Sequence, residues 1–256
     1  MAAKGKRRRL YSGAAAFQSF EVGKGLEQKA QTGMCRRGGI QAEEKAKNTG
    51  INGRYGNRRG NSGFYHPLMI GVAGSSPGVG TTHFSIMTAS YLSGVLGRRT
   101  ALLEENKSGD FSRLFDVLSE RSVLKQENGS CSVLEISFMK EASPETFSDL
   151  ANSEFDTVVI DFGHDFEAVR TKFQLCQRKF LVGSLAEWKI HAFLKLAEEK
   201  KRSDGKWEYF ISSGSGEFMK ELARHPGIEA RRIPRTEDAF AVSGEVIAFF
   251  GGFLKY

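Results

Sequence analysis

An apolar run that breaks into glycines and resumes at once as a helix leaves a chain few folds to choose from. Leu68-Met69-Ile70-Gly71-Val72-Ala73 is apolar throughout, as a strand covered on both faces must be. Gly74-Ser75-Ser76-Pro77-Gly78-Val79-Gly80-Thr81-Thr82 follows without a gap. Phe84, Met87, Tyr91, Leu92 and Val95 then recur at helical spacing, and Gly97 offers a C-cap. A buried strand, a glycine turn and a helix in direct succession form the first half of a crossover unit.

The rest of the chain repeats that alternation. Strand patterns fall at residues 99–104, 132–138, 157–162, 180–183, 207–212 and 230–233, which with the first makes about seven. Helical patterns at 110–119, 144–152, 166–177, 187–201, 217–224 and 243–254 separate most of them. Alternation of this kind predicts an α/β fold: a three-layer, doubly wound, mainly parallel sheet with helices on both faces. No internal repeat and no second folded domain is expected.

Charge separates the folded part from what precedes it. Residues 1–66 hold 14 Lys/Arg against 4 Asp/Glu, whereas 67–256 hold 23 against 26, so the basic excess behind the net +7 belongs to the first segment. That segment is rich in Gly, Arg, Lys, Gln and Asn without any apolar period. It cannot bury enough surface to offset its ordering entropy, and it reads as a disordered basic extension. The extension suits an acidic partner or nucleic acid, but an extension without function explains it as well. Cys35, Cys131 and Cys176 are few and far apart, which suggests neither a disulfide framework nor a metal cluster and fits a reducing cytosol. No apolar run is long enough to span a bilayer, and the stretch after the basic start is too polar for a signal sequence. A cytoplasmic location without a transmembrane segment is expected.

The chemistry points to the glycine turn. Backbone N–H groups at a helix N-terminus can converge on a phosphate, and glycines supply the backbone angles and close approach this needs. Thr82 stands where a hydroxyl could ligate a Mg²⁺ held between phosphates. The scattered histidines lack ligand spacing, and no nucleophile–base–acid set is visible. Lys200-Lys201-Arg202 and Arg231-Arg232 read as solvated faces and strand edges, and the terminal stretch at 248–256 as a packed final helix.

Pro77-Gly78-Val79-Gly80-Thr81-Thr82 is similar to the Gly-Gly-Val-Gly-Lys-Thr core of the deviant Walker A motif in the MinD/ParA family. In that alignment Thr81 replaces the P-loop lysine, and Ser76 replaces the second lysine, which reaches across a nucleotide-sandwich dimer. The run 155–163 resembles the family's Walker B strand and ends its apolar part at Asp161. Glu104-Glu105-Asn106 stands at the place of the Asp-x-Asp segment, with Asn106 where the second aspartate would help position the attacking water. The segment 232–240 resembles the family's late Ile-Pro segment beside the base. Serine or threonine at the P-loop lysine position is also a trait of the TadZ/CpaE-like pilus-positioning branch. The stretch before Pro67 is too short and polar to supply that branch's receiver-like domain.

The resemblance implies an ATP-binding localisation or regulatory protein with weak or no ATPase activity, working as a homodimer with a protein partner. Ser76, Pro77, Gly78, Val79, Gly80, Thr81 and Thr82 would hold the nucleotide. Thr82 and Asp161 would hold Mg²⁺, Asp161 could also orient a water, and Glu104 or Asn106 would lie near the attacking water. Two alternatives stay open: a non-catalytic pseudo-NTPase serving as an interaction module, and nucleic-acid association through the basic extension. DNA contact by the folded part is a lesser expectation.

Overall fold

Strands and helices alternate along the chain: β1 (Leu68–Gly74), α1 (Thr81–Gly94), β2 (Thr100–Glu104), α2 (Asp110–Glu120), β3 (Lys125–Glu127), β4 (Ser130–Val133) and β5 (Ile136–Lys140). Then follow β6 (Thr157–Asp161), α3 (Phe166–Gln174), β7 (Arg178–Ser184), α4 (Ile190–Lys201), β8 (Trp207–Ser213), α5 (Gly216–Leu222), β9 (Ala230–Arg232) and α6 (Gly244–Gly251). This computed structural model describes residues 66–120, 125–127, 130–140, 149–150, 152–201, 207–225 and 227–254. The predicted extension lies outside them apart from His66, as does most of the helix expected at 144–152.

The strands form one sheet in the order β3-β4-β5-β2-β6-β1-β7-β8-β9. β5 through β9 in that order are parallel, and β3 and β4 add an antiparallel edge. The expected mainly parallel, doubly wound sheet is therefore present, with more strands than predicted. The pattern at 132–138 is not one strand. It is broken by Leu134 and Glu135, whose φ angles of 48° and 65° make the two-residue turn of the β4–β5 hairpin. Asparagine and glycine normally mark such turns, and their absence hid the hairpin.

Period-2 alternation divides each central strand between two cores. Ile70, Val72, Leu102, Val159, Phe180 and Phe210 face α1, α2 and α6, whereas Met69, Ala73, Leu103, Ile160 and Phe162 face α3. A third cluster joins β7 and β8 to α4 and α5. α1 is buried on nearly every side because the sheet and α6 enclose it, and its buried Ser85 and Thr88 hydroxyls donate to carbonyls one turn back. Phe84 of α1 stacks on Phe250 of α6 at 5.7 Å and meets Phe210 at 4.8 Å. The final helix is thus a packed element, with Val246, Phe250 and Leu254 buried. Arg178 reinforces it by donating to Phe253 O (3.1 Å).

This topology fixes where a site can lie. From β1 the chain crosses to β2, on the β6 side, and from β6 it returns to β7, on the other side of β1. The winding reverses at β1, and a crevice opens at the carboxyl ends of the strands there.

Candidate functional site

The glycine turn begins in that crevice and is fixed on both flanks. Gly74 N–H donates to Gly163 O (2.7 Å), beyond β6, and Ser75 N–H donates to Val182 O (2.8 Å), in β7. Gly78 and Gly80 have φ of 66° and 88°, and Gly80 is the N-cap of α1 with no side chain capping it. Unspent first-turn amides of α1 therefore stand beside a turn whose glycines let more N–H groups join them. Val79 is buried beneath and anchors the turn in the core.

Asp161 closes β6 fully buried, in register with Glu104 of β2. Its Oδ1 accepts from Gly163 N–H (3.0 Å), while Oδ2 is buried without a hydrogen-bond partner. Burial pushes the carboxyl up from 3.8 to about 6; the Gly163 N–H opposes the rise, and the Glu104 and Asp110 charges add to it. The Thr82 hydroxyl donates to Asp110 Oδ2 (3.2 Å) at the start of α2. At Asp110 burial also works upward, but hydrogen bonds from Arg113, Ser108 and Thr82 bring the carboxyl below its usual range.

The residues after β2 form the next wall. Glu104 is 3% exposed, and its Oε1 accepts from the Ser108 hydroxyl (3.0 Å) and Phe111 N–H (3.2 Å). Its carboxylate thus caps the first turn of α2. Asn106 donates through Nδ2 to Asp161 O (3.0 Å) and accepts at Oδ1 from Ser108 N–H (2.9 Å). It lies so close to Gly163 that a Cβ there would stand 2.9 Å from its own. Between these two residues Glu105 pairs through Oε1 with Lys172 of α3, and its Oε2 is buried without a partner.

Loop and walls enclose a cleft of about 840 Å³, with Ser76, Gly80, Thr82, Asn106, Asp110 and His164 among its lining. Among the described residues, the side-chain oxygens buried without a hydrogen-bond partner are those of Ser75, Ser76, Glu105 and Asp161. Ser76 and Glu105 line the cleft, Ser75 belongs to its loop and Asp161 lies just behind it, so four of the six partnerless buried side-chain atoms among the described residues gather here; the other two are Trp207 Nε1 and His225 Nδ1.

The fold brings the predicted residues together unequally. Ser76, Gly78, Gly80, Thr81, Thr82 and Asn106 line the cleft, Pro77 is exposed at the rim, and Glu104 and Asp161 lie buried behind the surface. The Ile-Pro segment runs near the start of α1: burial lowers the pKa of His83, and Asp238 opposes that fall. Asp110, Glu105 and Lys189 were not foreseen as site residues. Asp110 looked only like a helix start. Lys189, whose Nζ donates to Pro77 O (2.8 Å) and Gly78 O (3.1 Å), is remote from the loop in sequence. Of the basic residues read as solvated, Arg231 pairs with Glu208 and Arg232 donates to Gly214 O.

A parallel sheet with a glycine loop at its switch point and a buried aspartate on the neighbouring strand is the arrangement of a P-loop NTPase fold, and solved plasmid partition proteins share that fold. A plasmid partition protein from Borrelia burgdorferi bound to AMPPNP matches with a TM-score of 0.53 at 12% identity, over 73% of this chain and 97% of that one. A second structure of a plasmid partition protein from that organism gives 0.52 at 13% identity, over 73% and 98%. MinD from Pyrococcus horikoshii OT3, complexed with Mg-ADP, gives 0.45 at 13%, over 66% and 82%. At these identities the likeness is one of fold. No protein-family model and no curated protein sequence matches the chain.

Proposed function

We propose that this chain is an ATP-binding, MinD/ParA-like localisation or regulatory protein with weak or no ATPase activity. The observation that carries the reading is the set of partnerless buried oxygens around the loop. The Ser75 and Ser76 hydroxyls can donate to phosphate oxygens, and Asp161 Oδ2 can face a cation or its water. Amides of Gly78, Val79, Gly80, Thr81 and Thr82 would cradle the phosphates. Among the described residues no three His, Cys, Asp or Glu side chains converge as a metal-ligand set, so Mg²⁺ would arrive with the nucleotide. Thr82 and Asp161 would hold it, and once bound it would neutralise charge on the transferred phosphoryl group.

The chain's own residues argue for slow chemistry. Asn106 has no carboxylate to take a proton, and its amide is already spent on Asp161 O and Ser108 N–H. Glu104 is engaged at α2 and acts on the site by placing Asp110. Loss of a lysine–phosphate contact forfeits about 1.5–3 kcal/mol, roughly ten- to hundredfold in affinity, which weakens binding without abolishing it. Homodimerisation, a protein partner at a pilus or cell pole and a cytoplasmic location belong to this proposal. Among the described residues no helix is long and apolar enough to cross a membrane.

Calorimetric and thermal-shift titrations with Mg-ATP, Mg-ADP and Mg-GTP test the reading. Saturable binding of Mg-ATP is expected. The absent lysines favour a second reading, a pseudo-NTPase serving as an interaction module, and silence at millimolar nucleotide would establish that instead.

A further inference from the structure

The loop has no lysine of its own, yet an ammonium sits on it. Lys189 Nζ donates to Pro77 O at 2.8 Å and Gly78 O at 3.1 Å, and it stands 3.5 Å from where a Cβ on Gly78 would be. The turn that carries Lys189 is anchored at two strand ends. Leu185 N–H donates to Ser213 O (2.8 Å), Ala186 N–H to Ser184 Oγ (3.1 Å) and Lys189 N–H to Ala186 O (2.8 Å). The ammonium is therefore positioned by β7 and β8 rather than by a free chain.

Its two acceptors matter because a trans peptide unit points its C=O and N–H in opposite directions. Holding Pro77 O and Gly78 O toward Lys189 turns the N–H groups of Gly78 and Val79 away from it. Those are the first two amides of the proposed phosphate cradle. Two of the three ammonium donors go to these carbonyls, and one remains beyond them.

We propose that Lys189 offsets the absence of a loop lysine: it latches the loop in its amide-inward form, and its charge acts on phosphate bound there across the intervening peptide groups rather than by contact. This rests on the phosphate-binding reading above. Lys189 is a positioning residue that acts through the backbone of Pro77 and Gly78.

The test uses the full chain, Thr81→Lys, Lys189→Met, and Lys189→Met combined with Thr81→Lys. Affinity for Mg-ATP and for inorganic tripolyphosphate is measured by calorimetry at two salt concentrations, and amide hydrogen exchange over residues 78–82 is measured without ligand. Lys189→Met should weaken both ligands at least tenfold, flatten the salt dependence and speed exchange in the loop. Thr81→Lys should raise affinity by more in that background than in the wild type, because there it replaces a missing charge. Unchanged affinity and exchange in a folded Lys189→Met would overturn the proposal, and an equal gain from Thr81→Lys in both backgrounds would overturn its charge component. If the wild type binds neither probe, the phosphate reading falls on its own; loop exchange then still decides the latch, supporting it if faster and refuting it if unchanged.

Discussion

Asp161→Asn should stabilise the protein at neutral pH while damaging its proposed function. The side chain is fully buried, and burial raises its pKa from 3.8 to about 6. A carboxyl that binds its proton more tightly when folded makes the charged form a liability. Stability should fall as pH rises from about 4 to about 6 and stay low above that. A rise of this size corresponds to roughly 3 kcal/mol against the ionised native state. Asparagine keeps the Oδ1 acceptor for Gly163 N–H and removes the charge. Its amide can donate to the Thr82 hydroxyl, which already gives its own proton to Asp110. A gain of about 2–3 kcal/mol at pH 7.5 is expected, or roughly 5–10 °C in melting temperature for a domain of this size.

Differential scanning calorimetry of both proteins from pH 4.5 to 8, in EDTA and without nucleotide, measures this. The two curves should separate as pH rises from about 4 to about 6 and run parallel above that. With Mg-ATP the order should shrink or reverse, because only the wild type keeps the carboxylate proposed to hold the cation. A variant destabilised at every pH, or a difference that does not change between pH 4.5 and 7.5, would refute the assignment of a buried, charge-strained Asp161.

Three shorter predictions follow. Thr81→Lys in the wild type should raise Mg-ATP affinity by about a decade, ~1.4 kcal/mol by calorimetry, and Thr82→Ala should cancel part of that gain. Turnover on purified protein should lie well below the ordinary enzyme range of ~1–10³ s⁻¹; faster hydrolysis abolished by Asp161→Ala would contradict the slow-ATPase reading. Residues 67–256 alone should melt with the full chain, since 1–66 carry no apolar periodicity, and strong exchange protection within 1–60 would oppose this.

Local structure was legible in the sequence, and meetings between distant residues were not. Strand, glycine turn and helix succeed one another within 68–94, so hydrophobic period and glycine placement were enough to find them. Asp161 was visible because an apolar run ended on it. The roles of Glu104 and Glu105 were not, because adjacent carboxylates look alike until α2 presents the Phe111 N–H to one and α3 presents Lys172 to the other. Lys189 needed the fold itself: only the return of the chain to the far side of β1 brings its turn against Pro77. The β4–β5 hairpin failed for the opposite reason, a local turn made by two residues that rarely make one.

The charge balance around the loop leads to a last prediction. Asp110 lines the site proposed for an anion, Glu104 and Asp161 lie behind it, and the loop contributes no lysine against them. Two unit charges about 7 Å apart in surroundings of effective dielectric about 20 interact by roughly 2 kcal/mol, so even one unshielded carboxylate is a substantial obstacle to phosphate. Lys189 offsets part of this from outside the loop. A divalent cation is the other available counter-charge, and Asp161 Oδ2 is the oxygen left to meet it. Nucleotide binding should therefore depend on Mg²⁺ more steeply than in a loop carrying its own lysine. ATP in EDTA is expected to bind at least tenfold more weakly than Mg-ATP. In Asp161→Asn that ratio should contract, because free ATP loses a repulsion while Mg-ATP loses a ligand. Calorimetry on the two proteins with and without Mg²⁺ gives all four affinities. A ratio near unity in the wild type would mean that the carboxylates do not face the bound phosphates, and the cation would then have no place at Asp161.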